Sequence, residues 1–220
     1  MMRISSVITN NPNPFLSENS KQSEVGDFQE IFEAKNKSNK SAKEFLYTLS
    51  PTELVRIQKA NNLACAIIIN DLSDEGAENL FNGLIDRSKL VDLNNDGIVE
   101  IGAAKSFIFP PPNAPESVKR AWEETTSGLT FKEIVLLKGK MLLKQFEANS
   151  YIDANGNCRV YEPGAPGWVN IFGETNEAYI KLFNDLIYRI DNPLSYRDEN
   201  QQRLDQLARD VFSEIIKLID

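Results

Sequence analysis

The chain has 220 residues, 41% hydrophobic and 25% charged, enough to bury a sizeable core in an ordinary globular protein. Its net charge of −8 argues against a general nucleic-acid binder, which needs a basic face. The chain has no histidine, which excludes Ser-His-Asp and Cys-His catalysis, histidine general bases and histidine metal ligands; its two cysteines make neither a thiolate zinc site nor a disulfide framework.

The first 43 residues are rich in Ser and Asn, contain Pro12 and Pro14, and carry only short apolar islands. Such a stretch buries too little surface to offset the entropy of ordering its backbone, so a disordered head over 1–43 is expected. Within it Phe28, Ile31 and Phe32 fall at i, i+3 and i+4, a short amphipathic run able to dock. The first twenty residues lack a basic start followed by an apolar core. The expectation is a cytoplasmic protein, or one exported without a conventional signal peptide. No stretch approaches the ~20 apolar residues of a membrane span, the longest apolar run being 63–69.

Residues 44–220 read as one mostly helical domain. Ser50-Pro51-Thr52-Glu53 joins an N-cap, a first-turn proline and a capping-box acid. Leu54, Ile57, Asn61 and Ala64 trace the helix that follows, with 63–69 buried behind it and Cys65 a core residue. Ser73-Asp74-Glu75 opens a second helix, whose stripe is Leu80, Phe81, Leu84 and Ile85. Ile98 to Ile101 reads as a short strand and Phe107 to Phe109 as another. Pro110-Pro111-Pro112 stops regular structure, and Asn113-Ala114-Pro115-Glu116 restarts a helix that ends at Gly128. Thr130-Phe131-Lys132-Glu133 is a further capping box. Its helix reaches about Ala148 with Ile134, Leu137, Met141 and Leu142 inward, and Gly139 suggests close approach of another backbone. Lys138, Lys140 and Lys144 on that helix read as a solvated face. Two final helices, about 175–190 and 195–219, are separated by Pro193 and form a hairpin.

The most specific feature is Asp92-Leu93-Asn94-Asn95-Asp96-Gly97-Ile98-Val99-Glu100. Calcium takes six to eight oxygens, and alternate side chains before a glycine can wrap one. Asp92, Asn94, Asp96, the Ile98 carbonyl and Glu100 would supply them. This run resembles a degenerate EF-hand loop, or the related loop of dockerins, over 92–103. The resemblance implies weak calcium binding, because position 12, normally a bidentate Glu, is Ala103. Asp153, Asn155 and Asn157 repeat the pattern, with Val160 matching Val99 at the position where paired loops exchange backbone bonds. The resemblance thus implies two short strands pairing the loops. Without metal, Asp-x-Asn-x-Asp-Gly makes an Asx-type turn, and Asn155-Gly156 favours a type I′ hairpin with Cys158 exposed just after it.

No phosphate-binding glycine loop, nucleophile elbow or metal-ligand cluster is evident. The expectation is therefore a non-enzymatic bacterial-type interaction protein whose fold is steadied by the 92–100 turn, with Ca2+ an occasional ligand. An unrecognised carboxylate-dependent hydrolase or lyase is the alternative, with Glu123, Glu124, Asp185 and Asp191 as acids to consider. The acid-poor, Ser/Asn-rich residues 1–20 resemble the export signals of flagellar or type III secretion substrates, which would make the export apparatus a partner. Phe109 with its prolines, and Trp168 in the loop Pro163-Gly164-Ala165-Pro166-Gly167, are candidate contacts for a protein partner; Trp168, Ile171 and Phe172 otherwise close the base of the core.

Overall fold

The computed structural model describes residues 18–85 and 87–220. Most of the segment expected to resemble an export signal, residues 1–17 of 1–20, lies outside the described residues. Eight α-helices, two 3-10 turns (Ile69–Asp71 and Arg87–Lys89) and two small antiparallel strand pairs account for the regular structure among the described residues, so the protein is mostly α. It divides into two compact units, Met1–Ile67 and Ile68–Asp220. No helix among the described residues is long and apolar enough to cross a membrane.

The first unit holds α1 (Glu18–Lys37), α2 (Ala42–Leu46) and α3 (Pro51–Ala60). Helix α1 thus occupies much of the stretch whose composition predicted a disordered head. Local burial accounts for the difference: α1 packs on α3, and Phe28 and Ile31 are buried. Helices α2 and α3 begin at reciprocal capping boxes, Ser41 with Glu44 and Ser50 with Glu53. Each box satisfies two otherwise orphaned N–H groups. Helix α3 stops at Ala60 because Asn61 caps it through Nδ2 to the Ile57 carbonyl, and Asn62 takes a left-handed φ of +53°. The expected helix through Ala64 therefore does not form. The run 63–69 is irregular rather than buried, and Cys65, expected in the core, is exposed.

In the second unit, α4 (Asp74–Ile85) leads through the oxygen-rich loop into β1 (Val99–Ile101). Strand β2 is Ala104–Ser106, short of the Phe107 to Phe109 segment expected to be extended. Val99 faces Ser106 across this hairpin. Strands β3 (Ser150–Ile152) and β4 (Cys158–Val160) form the other pair, in which Val160 faces Ser150. The two loops therefore do not pair with each other as the EF-hand resemblance implied. Gly102, at φ +60°, closes β1 onto its immediate neighbour and leaves Val99 no vacancy for Val160. The Asn155-Gly156 turn also differs from a two-residue I′ hairpin. Ile152 faces Cys158, leaving five residues in the loop, and Asp153 Oδ1 accepts the N–H groups of Asn155 and Asn157 at 2.9 Å each.

Helices α5 (Glu116–Thr126), α6 (Phe131–Ala148), α7 (Asn176–Asp191) and α8 (Glu199–Ile219) enclose the core, with α7 and α8 as the expected hairpin. Phe109 sits at its centre, ringed by Trp122, Phe172, Tyr179 and Phe183 at centroid distances of 4.8–6.4 Å. Aromatic edges against faces are favoured at these separations. Phe109 is therefore core rather than a partner contact. Helix α6 supplies Leu137 and Met141 to this core, but Leu142 is exposed, contrary to expectation. The 3.6-residue turn puts Leu137 and Met141 on one line and rotates Leu142 about 100° away. Nothing lies within 4 Å of where a Gly139 Cβ would stand, so no backbone approaches it within the chain. Lys140 and Lys144 form ion pairs with Asp205 (2.7 Å) and Asp185 (3.2 Å) instead of a solvated cationic face.

Candidate functional site: the oxygen-rich loop

Asp92, Asn94 and Asp96 come together, each bonded to the loop's own backbone. Asp92 Oδ1 accepts the Asp96 N–H at 3.1 Å and its Oδ2 the Gly97 N–H at 2.9 Å. Asn94 Oδ1 accepts the Asp96 N–H at 2.9 Å, and Asp96 Oδ1 accepts the Ile98 N–H at 2.8 Å. The Asn94 amide donates to Asp96 Oδ2 at 3.0 Å. Gly97 turns the chain at φ +82°, and an added Cβ there would stand 2.6 Å from Asn170 Oδ1. Ile98 enters through its N–H. Glu100 leaves the group: it accepts from the Ser73 hydroxyl and lies 3.7 Å from Lys105 Nζ.

A second set of contacts, unseen in the sequence, binds the loop to its surroundings. Glu75, in the first turn of α4, is buried and accepts the N–H of Leu93 at 2.8 Å and of Glu100 at 2.7 Å. One carboxylate thus holds both ends of the loop. One turn on, buried Asn79 donates to the Val91 and Glu100 carbonyls and accepts the Val91 N–H, all at 2.8–2.9 Å. Trp168 Nε1 donates to the Asp96 carbonyl at 2.8 Å, and Asn170 donates to the Asn95 carbonyl at 3.0 Å. Trp168 is half-buried and engaged, and Phe172 beyond it is core. Asn113 closes the remaining side by donating to the Asp92 carbonyl at 2.9 Å.

Burial governs the electrostatics. Loss of water raises the Glu75 carboxyl above its ordinary value, against the two N–H bonds that lower it, with Asp92 and Glu100 adding repulsion. Loss of water likewise raises Asp92, with Asp96 adding to the effect. Asp153 of the second loop is only partly buried, and its carboxyl is lowered, chiefly by the Asn157 N–H and then by Arg159.

The carboxylates at the first and fifth positions receive the N–H groups of Gly97 and Ile98, so the turn closes on its own hydrogen bonds. Its donor set is short. Three side chains converge, Glu100 is directed to Ser73 and Lys105, and Ala103 offers no side-chain oxygen. Among the described residues no group of three or more acidic or cysteine side chains is placed to hold an ion. What the arrangement does within the chain is mechanical: buried acceptors from α4 and from the loop fix β1, the 113 segment and the Trp168 segment around one turn.

Glu75 and Asn79 had a faint sequence signal: two polar residues one turn apart on a helix whose neighbouring residues are core. That spacing marks a shared face, but the loop they grip lies far along the chain. Comparison with known proteins adds no relative to this picture: no family model matches the chain, and no curated protein or solved structure does.

Proposed function

We propose that this is a non-enzymatic interaction protein, in which the 92–100 loop is an internal clasp and a weak Ca2+ site, and the outer face of α6 is the contact surface. The α6 surface carries the reading. Phe131, Val135, Leu136, Leu142, Leu143 and Phe146 are exposed along one side of a helix whose other side is core. Single exposed apolar residues are ordinary, whereas a contiguous stripe of this length marks a contact surface. The helix is fixed by the Thr130–Glu133 capping box at its start and by Lys140 and Lys144 along its length. A rigid apolar face loses little entropy on binding.

Calcium would be held by Asp92, Asn94, Asp96 and the Ile98 carbonyl, with Glu100 joining by releasing Ser73. A set without the position-12 acid belongs at the weak end of loop affinities. The hydrolase or lyase alternative draws little support from the acids. Asp185 and Asp191 are each engaged by a cation, Lys144 and Arg209, as structural pairs are. Export through residues 1–20 would deliver such a protein to its partner, and deletion of that segment tests this directly.

The surface reading is tested by placing lysine on it. In dilute solution, where contacts between molecules add nothing to the unfolding free energy, Leu142→Lys with Phe146→Lys is expected to keep the parent's cooperative unfolding within ~0.5 kcal/mol, as substitutions outside a core do. A loss of several kcal/mol would show the face to be covered within the fold, and the reading would fail.

A further inference from the structure

The exposed stripe on α6 is close to symmetric about one residue. Val135 and Leu136 lie four and three positions before Gly139, and Leu142 and Leu143 three and four after it. Phe131 and Lys132 end the stripe on one side, and Phe146 and Glu147 on the other. Phe131 is 80% exposed, Leu143 57% and Phe146 50%. At the centre, an added Gly139 Cβ would meet nothing within 4 Å. A glycine in an exposed helix interior costs helix stability and contributes nothing inside this chain, but it lets a second helix come close.

This deepens the reading of α6 as the contact surface, and rests on it. We propose that the occupant is a second copy of the chain, with the two α6 helices crossing antiparallel at Gly139. A two-fold interface must be complementary to itself, each residue meeting its counterpart's partner. An antiparallel crossing meets that requirement. Leu142 and Leu143 of one copy fall on Val135 and Leu136 of the other, Phe146 falls on Phe131, and Lys132 reaches Glu147. Glu147 already pairs with Arg189, so Lys132 becomes its second cation. A parallel crossing would instead set Lys132 against Lys132. The apolar area available on the six side chains is on the order of 600 Å² per copy, so the pair would bury roughly 1,200 Å², which reaches the size of a specific interface. Beside the stripe, Leu136, Gly139 and Leu143 border a groove of about 450 Å³ shared with Leu204 and Leu207 of α8, space for a partner's side chain.

Sedimentation equilibrium on the full chain tests this. The expected result is a concentration-dependent shift from the 24.8 kDa monomer to twice that mass below about 100 µM. Gly139→Leu adds bulk where the fold has space, and should weaken dimerisation at least ~10-fold while leaving the circular dichroism unchanged. Lys132→Glu should weaken it, and Lys132→Glu with Glu147→Lys should restore it. A wild-type chain that stays monomeric at that concentration overturns the proposal, as does a dimer indifferent to Gly139→Leu. Either result leaves the stability test of the α6 surface to stand or fall separately, and a different protein captured by a monomeric chain through the same stripe would assign the surface to that partner.

Discussion

Glu75 Oε1 accepts the Glu100 N–H at 2.7 Å, joining the first turn of α4 to the middle of β1, twenty-five residues away. The other oxygen of the same carboxylate takes the Leu93 N–H. A carboxylate that closes a loop at both ends cannot be replaced by its amide without leaving an N–H facing an NH2. Glu75→Gln should therefore lower the free energy of unfolding by about 1–3 kcal/mol, the cost of an unmade buried hydrogen bond. Urea denaturation checks this. An unchanged midpoint would mean the loop does not depend on α4.

The same residue predicts a pH dependence. Burial raises the folded-state pKa of Glu75 above its ordinary 4.5, so the native state binds its proton more tightly than the unfolded chain does. The contribution of Glu75 is fully present below that ordinary value. It is lost as pH rises through the raised value, then levels off. The stability advantage of wild type over Glu75→Gln should accordingly be larger at the acid end of this window than at pH 7. An advantage that grows as pH rises would reverse the sign and contradict the burial argument.

Two glycines in helices should respond oppositely to alanine. A Cβ on Gly76 would stand 2.2 Å from the Gly102 carbonyl oxygen, where the β1–β2 turn donates its own N–H to the Gly76 carbonyl at 2.9 Å. Backbone cannot yield cheaply, so Gly76→Ala should cost about 1–3 kcal/mol or more. Gly139→Ala meets open space and should stabilise α6 by up to ~1 kcal/mol. Thermal unfolding of the two variants distinguishes them, and a stabilising Gly76→Ala would show that the hairpin does not sit against α4.

Tyr179 is buried, its hydroxyl has no hydrogen-bond partner among the described residues, and burial pushes its pKa well up. Deleting an unsatisfied buried polar atom removes its desolvation cost. Tyr179→Phe should leave stability unchanged or raise it by ~1 kcal/mol in calorimetry; a clear loss would reveal a partner for the hydroxyl.

Helix starts were legible in the sequence because capping is local: Ser50 with Glu53, and Thr130 with Glu133, announced α3 and α6 by residue type and spacing alone. The α7–α8 hairpin was equally clear from its apolar face and Pro193. The run 63–69 misled because apolar composition says nothing about where a chain turns, and Asn61 and Asn62 turned it first. On α6, enough apolar residues were present for two faces, and periodicity alone did not say which face the core would take. Leu142 fell on the outer one. At the loop, Asp92, Asn94 and Asp96 were found by their spacing, whereas Glu75, Asn79 and Trp168 reach it from distant segments through contacts that no local pattern encodes.

Glu75 and the loop's own hydrogen bonds hold the 92–100 turn within the chain, so the proposed calcium ligation should be weak and dispensable for folding. Calorimetric titration of the full chain with Ca2+, in parallel with Asp92→Ala, tests it. Binding is expected at ~0.1 mM or weaker and should disappear in the variant, while cooperative unfolding persists in chelator. Submicromolar binding, or loss of the folded state on chelation, would contradict it.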